Sequence, residues 1–83
     1  MNITVLTPDR EIFDGPIVSV KVPGTNGNFQ ILKDHAAIVS SLKDGEISIK
    51  QEGGQMLEFS IEKGFIEVNN NKISLLVQGV KGI

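Results

Sequence analysis

The chain has no cysteine, no tryptophan and no tyrosine, and a single histidine among its 83 residues. Without cysteine, neither a disulfide framework nor a thiolate metal cluster is open to it, and a reducing compartment is compatible but not required. One histidine excludes a multi-histidine metal site within one chain. The four aromatic residues are all phenylalanine and stand apart from one another, so no platform for stacking nucleic-acid bases is visible. Eight Lys and Arg stand against ten Asp and Glu, a formal net charge of −2. With no basic stripe to neutralise phosphates, a nucleic-acid partner is not expected. No apolar run approaches the roughly 20 residues that cross a bilayer as a helix. The opening MNITVLTPDREIF lacks the basic and apolar regions of a signal peptide. The expectation is a soluble intracellular protein without direct membrane insertion, any membrane association coming through a partner.

What is present is ordinary globular composition, 40% hydrophobic and 22% charged, over a length that suits one domain spanning residues 1–83. That is close to the lower size at which a core holds together without staples. Apolar residues alternate with polar ones in short runs broken by turn residues. Ile3 and Val5 alternate with Thr4, and Pro8-Asp9 ends that run. Glu11-Ile12-Phe13 reads as a second short piece, closed by Asp14-Gly15-Pro16. Ile17 to Val22 follows, with Val18, Val20 and Val22 expected on one face and Ser19 and Lys21 on the other. Pro23-Gly24 ends it, and Thr25-Asn26-Gly27-Asn28 is turn chemistry. Phe29 and Ile31 re-enter a strand, Lys33-Asp34-His35 forms a polar corner, and Ala36 to Leu42 resumes as an apolar run. Ile47 with Ile49, then Leu57, Phe59 and Ile61, then Phe65 to Val68, then Ile73, Leu75 and Val77 supply the remaining strands. Gly53-Gly54 and Asn69-Asn70-Asn71 mark hairpin turns, the asparagines because they accept left-handed backbone.

No window repeats apolar residues at helical spacing long enough to make a helix. About eight to ten short strands, each with one apolar face, predict an all-β, antiparallel β-sandwich, a closed barrel being the architectural alternative.

Chemistry is sparse. His35 is the one candidate general base or metal ligand, and a lone His in a Lys-Asp-His corner is more often a hydrogen-bonded corner residue. Ser40 and Ser41 lack the glycine pattern of a nucleophile elbow. The carboxylates mostly sit opposite apolar strand residues, as a solvated face does. Gly24 and Gly27 feed a strand, whereas a phosphate-binding glycine loop feeds a helix N-terminus. No cofactor and no metal are expected. What remains is surface: an uncharged, glycine-assisted tip at Thr25 to Asn28, and small residues at Ser40 and Ser41 that would let a partner lie close.

In order along the chain, the phrases ITVLTPDREIFDGPIVSVKVPG, GTNGNFQIL, KDHAAIVSSL, KDGEISI and IEKGFIEV resemble the N-terminal β-domain of the epsilon subunit of F-type ATP synthases. No single phrase is diagnostic; the ordered set covers essentially the whole chain. The resemblance implies a non-catalytic β-sandwich at the foot of the rotor's central stalk. There it would bind the gamma subunit and rest on the c-ring, coupling ion-driven rotation to ATP synthesis. It also implies a peripheral position on the cytoplasmic side of the inner (plasma) membrane, held there by the complex. Carried over by position, Asn26, Gly27, Asn28 and Phe29 match the ring-contacting loop and His35 the histidine of the neighbouring corner. Thr7, Ser40 and, near it, Leu42 match the side that faces gamma.

The sequence departs from the family's pattern in three places. The tip usually carries acidic residues where Asn26 and Asn28 stand, which leaves a ring contact to rest on hydrogen bonds. The corner usually has Pro-Gly where Lys33-Asp34 stand, and Pro where Ala37 stands. Family members commonly continue into a C-terminal helical hairpin that regulates hydrolysis and can bind ATP. The sequence ends at Ile83, so neither property is expected of these residues. A different class of protein, a small β carrier of the biotinyl/lipoyl type, would need a lysine at a hairpin tip. Lys72 after the asparagine turn and Lys33 in the corner are the residues nearest to that requirement.

Overall fold

A computed structural model describes residues 1–83 and contains strands and no helix. The strands are β1 (Asn2–Leu6), β2 (Glu11–Gly24), β3 (Gly27–Leu32), β4 (Ile38–Leu42), β5 (Gly45–Gln51), β6 (Met56–Ile61), β7 (Lys63–Asn69) and β8 (Lys72–Gln78). Their pairings resolve into two layers joined by one long strand. The first layer runs β4, β7, β8, β1 and the N-terminal half of β2. The second runs β3, the C-terminal half of β2, β5 and β6, with Lys81 added at its edge through a bridge to Ser60. At Gly24, β2 also meets Leu42 of β4, which closes the hydrogen-bonded path between the layers. The architecture is the expected β-sandwich.

The period-two patterns fill the space between the layers. Ile3, Val5, Ile66, Val68, Ile73, Leu75 and Val77 from the first layer meet Val20, Val22, Ile31, Ile47, Ile49, Phe59 and Ile61 from the second, all nearly or fully buried. Each such side chain contributes about 1.5–3 kcal/mol relative to exposure. No buried side-chain polar atom lacks a hydrogen-bond partner, so no unpaired polar side chain offsets that gain.

Four local expectations are corrected. The pieces at Glu11–Phe13 and Ile17–Val22 are one strand of 14 residues; Asp14-Gly15-Pro16 does not break it, because β1 pairs straight through this segment. Val18 is 43% exposed instead of sharing a face with Val20 and Val22. Between Ile17 opposite Gln51 and Ser19 opposite Lys50, β2 carries one residue more than β5, and Val18 is that bulged residue. The turn at the tip is shorter than four residues: Gly24 pairs with Gly27, leaving Thr25 and Asn26 as a two-residue loop. Finally, β1 runs parallel to β8 while every other strand pair is antiparallel.

Asn70 and Asn71 take φ of 51° and 61° in the turn that pairs Asn69 with Lys72, the left-handed backbone that asparagine accepts. Lys72 therefore begins a strand and does not occupy the hairpin tip that a carrier lysine needs.

Candidate docking surfaces

The tip is held by three contacts. Thr25 N–H donates to the Ser41 carbonyl at 3.2 Å and Lys43 N–H to the Pro23 carbonyl at 2.9 Å. The hydroxyls of Thr25 and Ser41 lie 3.3 Å apart. Gly24 is glycine for a packing reason: a Cβ there would meet the Phe29 ring and the Gly27 carbonyl at 2.7 Å. Phe29 is half-buried across that glycine, while Asn26, Gly27 and Asn28 are exposed. From Val22 to Leu32 there is no charged residue. The tip thus offers a neutral, hydrogen-bonding surface on a braced base.

His35 does not join it. The tip and the corner lie at the two ends of β3, about 16 Å apart at a strand's usual rise. A contact that includes both must run the length of this edge strand, whose only neighbour is β2. At the corner, Asp34 N–H donates to Asn71 Oδ1 at 2.7 Å and Asn71 Nδ2 donates to Asp34 Oδ1 at 3.0 Å. Asn2 N–H donates to the Asn71 carbonyl at 3.0 Å. Asn71 therefore latches the corner, the β7–β8 turn and the N-terminus together. Asp34 has φ of 65°, a left-handed conformation that Asp and Asn visit more readily than other non-glycine residues. His35 Nδ1 lies 2.7 Å from the Ala36 carbonyl; a carbonyl only accepts, so Nδ1 is the donor in this contact.

The residues placed facing gamma divide. The Thr7 hydroxyl is occupied within its own loop, accepting from Asp9 and Arg10 N–H at 3.2 and 3.0 Å and lying 3.1 Å from the Arg10 carbonyl. Its role there is to close the β1–β2 connection. Ser40 is half-buried and lies opposite Ile66. Leu42 is a correction: it is 3% exposed and belongs to the core, because β4 alternates and Leu42 lies on its inward face. It has no side-chain surface to offer a partner.

The feature that sequence reasoning missed lies beside Thr7. Ser41, Phe65, Leu76 and Leu6 are successive cross-strand neighbours on the outer face of the first layer. Phe65 and Leu76 are 45% and 49% exposed. With Thr7 and Pro8 they line an open groove of about 390 Å³. The signal was in the sequence: Phe65 and Leu76 are out of phase with the buried set Ile66, Val68, Leu75 and Val77. Apolar residues on the solvent phase of a strand are how a docking face reads. Ser41 connects this row to Thr25, so groove and tip belong to one continuous surface.

No group of three His, Cys, Asp or Glu is placed to hold a metal ion, and no helix is long and apolar enough to cross a membrane. A braced neutral tip and an apolar groove on a filled core define a small β-sandwich with one candidate docking surface. Its residues 1–82 match the family described as ATP synthase, Delta/Epsilon chain, beta-sandwich domain. The chain belongs to that family. It is 38% identical over 79 residues to the ATP synthase epsilon chain of Chlorobium limicola, covering 95% of this chain and 90% of the relative. To the epsilon chain of Protochlamydia amoebophila it is 32% identical over 81 residues, covering 98% of this chain but only 55% of the relative. The chain thus spans about half of one such relative and nearly all of another. Among solved structures, the fold is similar to a chain in the Euglena gracilis mitochondrial ATP synthase OSCP/F1/c-ring assembly. That match has a TM-score of 0.87 and 22% identity, and covers 95% of this chain and 51% of that one; at this identity it speaks for the fold alone.

Proposed function

We propose that this chain is a non-catalytic central-stalk subunit of an F-type ATP synthase, joining the gamma subunit to the c-ring so that ion-driven rotation reaches the catalytic subunits. The observation that carries the reading is the cross-strand row Leu6–Leu76–Phe65–Ser41, which runs from an apolar groove to the neutral tip. The groove, with Thr7 at its rim, is the side offered to gamma; Ser40 shares the inward phase of β4 with Leu42 and lies off that face. The tip from Asn26 to Phe29 is the side offered to the ring, extended to His35 if the ring follows the β3 edge. The protein would then sit peripherally at the membrane, on the cytoplasmic side, through its complex.

A connector of this kind benefits from a close-packed interior and has no use for a reactive cleft. The neutral tip favours a contact made by hydrogen bonds, one that depends little on ionic strength. The test is co-purification of the tagged chain with gamma and assembled ring. Asn28→Lys, which forces a charge to be desolvated at the tip, should weaken ring attachment more than Lys50→Ala. Equal losses from the two substitutions would remove the assigned tip contact, and recovery of neither partner at low salt would remove the whole reading.

A further inference from the structure

We propose that the Asn26-Gly27 peptide is a site of spontaneous covalent conversion, through which the uncharged tip acquires a negative charge. Asn26 is exposed in the two-residue loop, and its carboxamide makes no hydrogen bond, unlike that of Asn71, which is tied to Asp34. Gly27 follows with φ of 128° and nothing within 4 Å of where a Cβ would stand, so no side chain, its own or a neighbour's, shields the peptide on that side.

The chemistry needs only water and base. The deprotonated Gly27 nitrogen attacks Asn26 Cγ and forms a new N–Cγ bond, closing a five-membered succinimide. The Cγ–Nδ2 bond breaks and Nδ2 leaves as ammonia, taking a proton from the medium. Water then opens the ring at one of its two carbonyls, giving aspartate or isoaspartate. No oxidant or reductant enters. The other asparagines precede Ile3, Phe29, Asn70, Asn71 and Lys72, residues whose side chains crowd the attacking nitrogen.

The product carries a carboxylate in a stretch that has no charge between Lys21 and Lys33. The isoaspartate form also lengthens the main chain inside a two-residue loop, which strains the Gly24–Gly27 pair. Any effect on docking rests on the function proposed above; the conversion itself does not.

The test therefore uses the full chain free of partners, incubated at mildly alkaline pH and digested. Mass spectrometry and isoaspartyl methylation follow the peptide between Lys21 and Lys33. The expected result is the mass gain of an amide-to-acid exchange at Asn26, with isoaspartate present and an acidic shift of one charge on isoelectric focusing. The conversion should be faster than at any other asparagine and accelerate with pH. Asn26→Ser should abolish the acidic shift, and Gly27→Ala should slow it. Conversion at Asn70 before Asn26, a rate indifferent to pH, or no conversion at all would overturn the proposal, whatever the chain binds.

Discussion

Thr25 and Ser41 meet twice, through a backbone hydrogen bond of 3.2 Å and through hydroxyls 3.3 Å apart. This pair ties the tip of one layer's hairpin to the edge strand of the other. Both side chains are exposed, so the hydroxyl bond contributes only about 0.5–1.5 kcal/mol net. Its expected role is to hold the tip still. Ser41→Ala should leave the thermal midpoint nearly unchanged while the Thr25 amide exchanges with solvent faster. Unchanged exchange would mean the backbone bond braces the tip alone.

Gly24 is predicted to tolerate no larger residue. In Gly24→Ala the new methyl would meet backbone at Gly27 as well as the Phe29 ring, and only the ring can move aside. Overpacking of this kind costs about 1–3 kcal/mol. Urea denaturation should show the loss, and Phe29→Ala should restore only part of it.

Phe65 and Ile66 are neighbours that should behave as opposites. Phe65→Asp changes an outward side chain, so stability should move by no more than about 0.5 kcal/mol while binding to gamma falls. Ile66 is fully buried; Ile66→Asp strands a charge in the core at a cost of several kcal/mol, comparable with the whole stability of a small domain. Circular dichroism should show the first variant folded and the second unfolded. A folded Phe65→Asp variant that binds gamma normally would rule out the groove.

Asn71 combines a left-handed backbone with a side-chain latch, and two substitutions separate them. Asn71→Gly keeps the backbone conformation at no steric cost and loses only the bonds to Asp34. Asn71→Ala loses the bonds and adds left-handed strain of roughly 1–2 kcal/mol. Alanine should therefore be the less stable variant; glycine equal to or worse than alanine would place the whole effect in the latch.

The strands were legible because alternation and turn residues mark them locally. Ile47 with Ile49, and Ile73 with Leu75 and Val77, announce their inward face within a few residues. What was hidden depends on distant partners. Nothing near Asp14-Gly15-Pro16 reveals that β1 will pair across it, and nothing near Val18 reveals that β5 is one residue short. The parallel pairing of β1 with β8 joins the two ends of the chain. Leu42 was misplaced for a related reason: in a run of small and apolar residues, the inward phase shows only once β7 is beside it. The turn at the tip was legible from its Asn-Gly chemistry. The Phe65–Leu76 groove was not, because its members lie on different strands and meet only in the folded sheet.

Membership of β2 in both layers bears on mechanical loading. Sliding one sheet over the other would stretch a covalent backbone between Pro16 and Ile17 or rupture many ladder bonds together, since the same peptide is woven into each. Such a body yields little to shear applied across its layers, and a twisting force entering through one sheet leaves through the other with little lag.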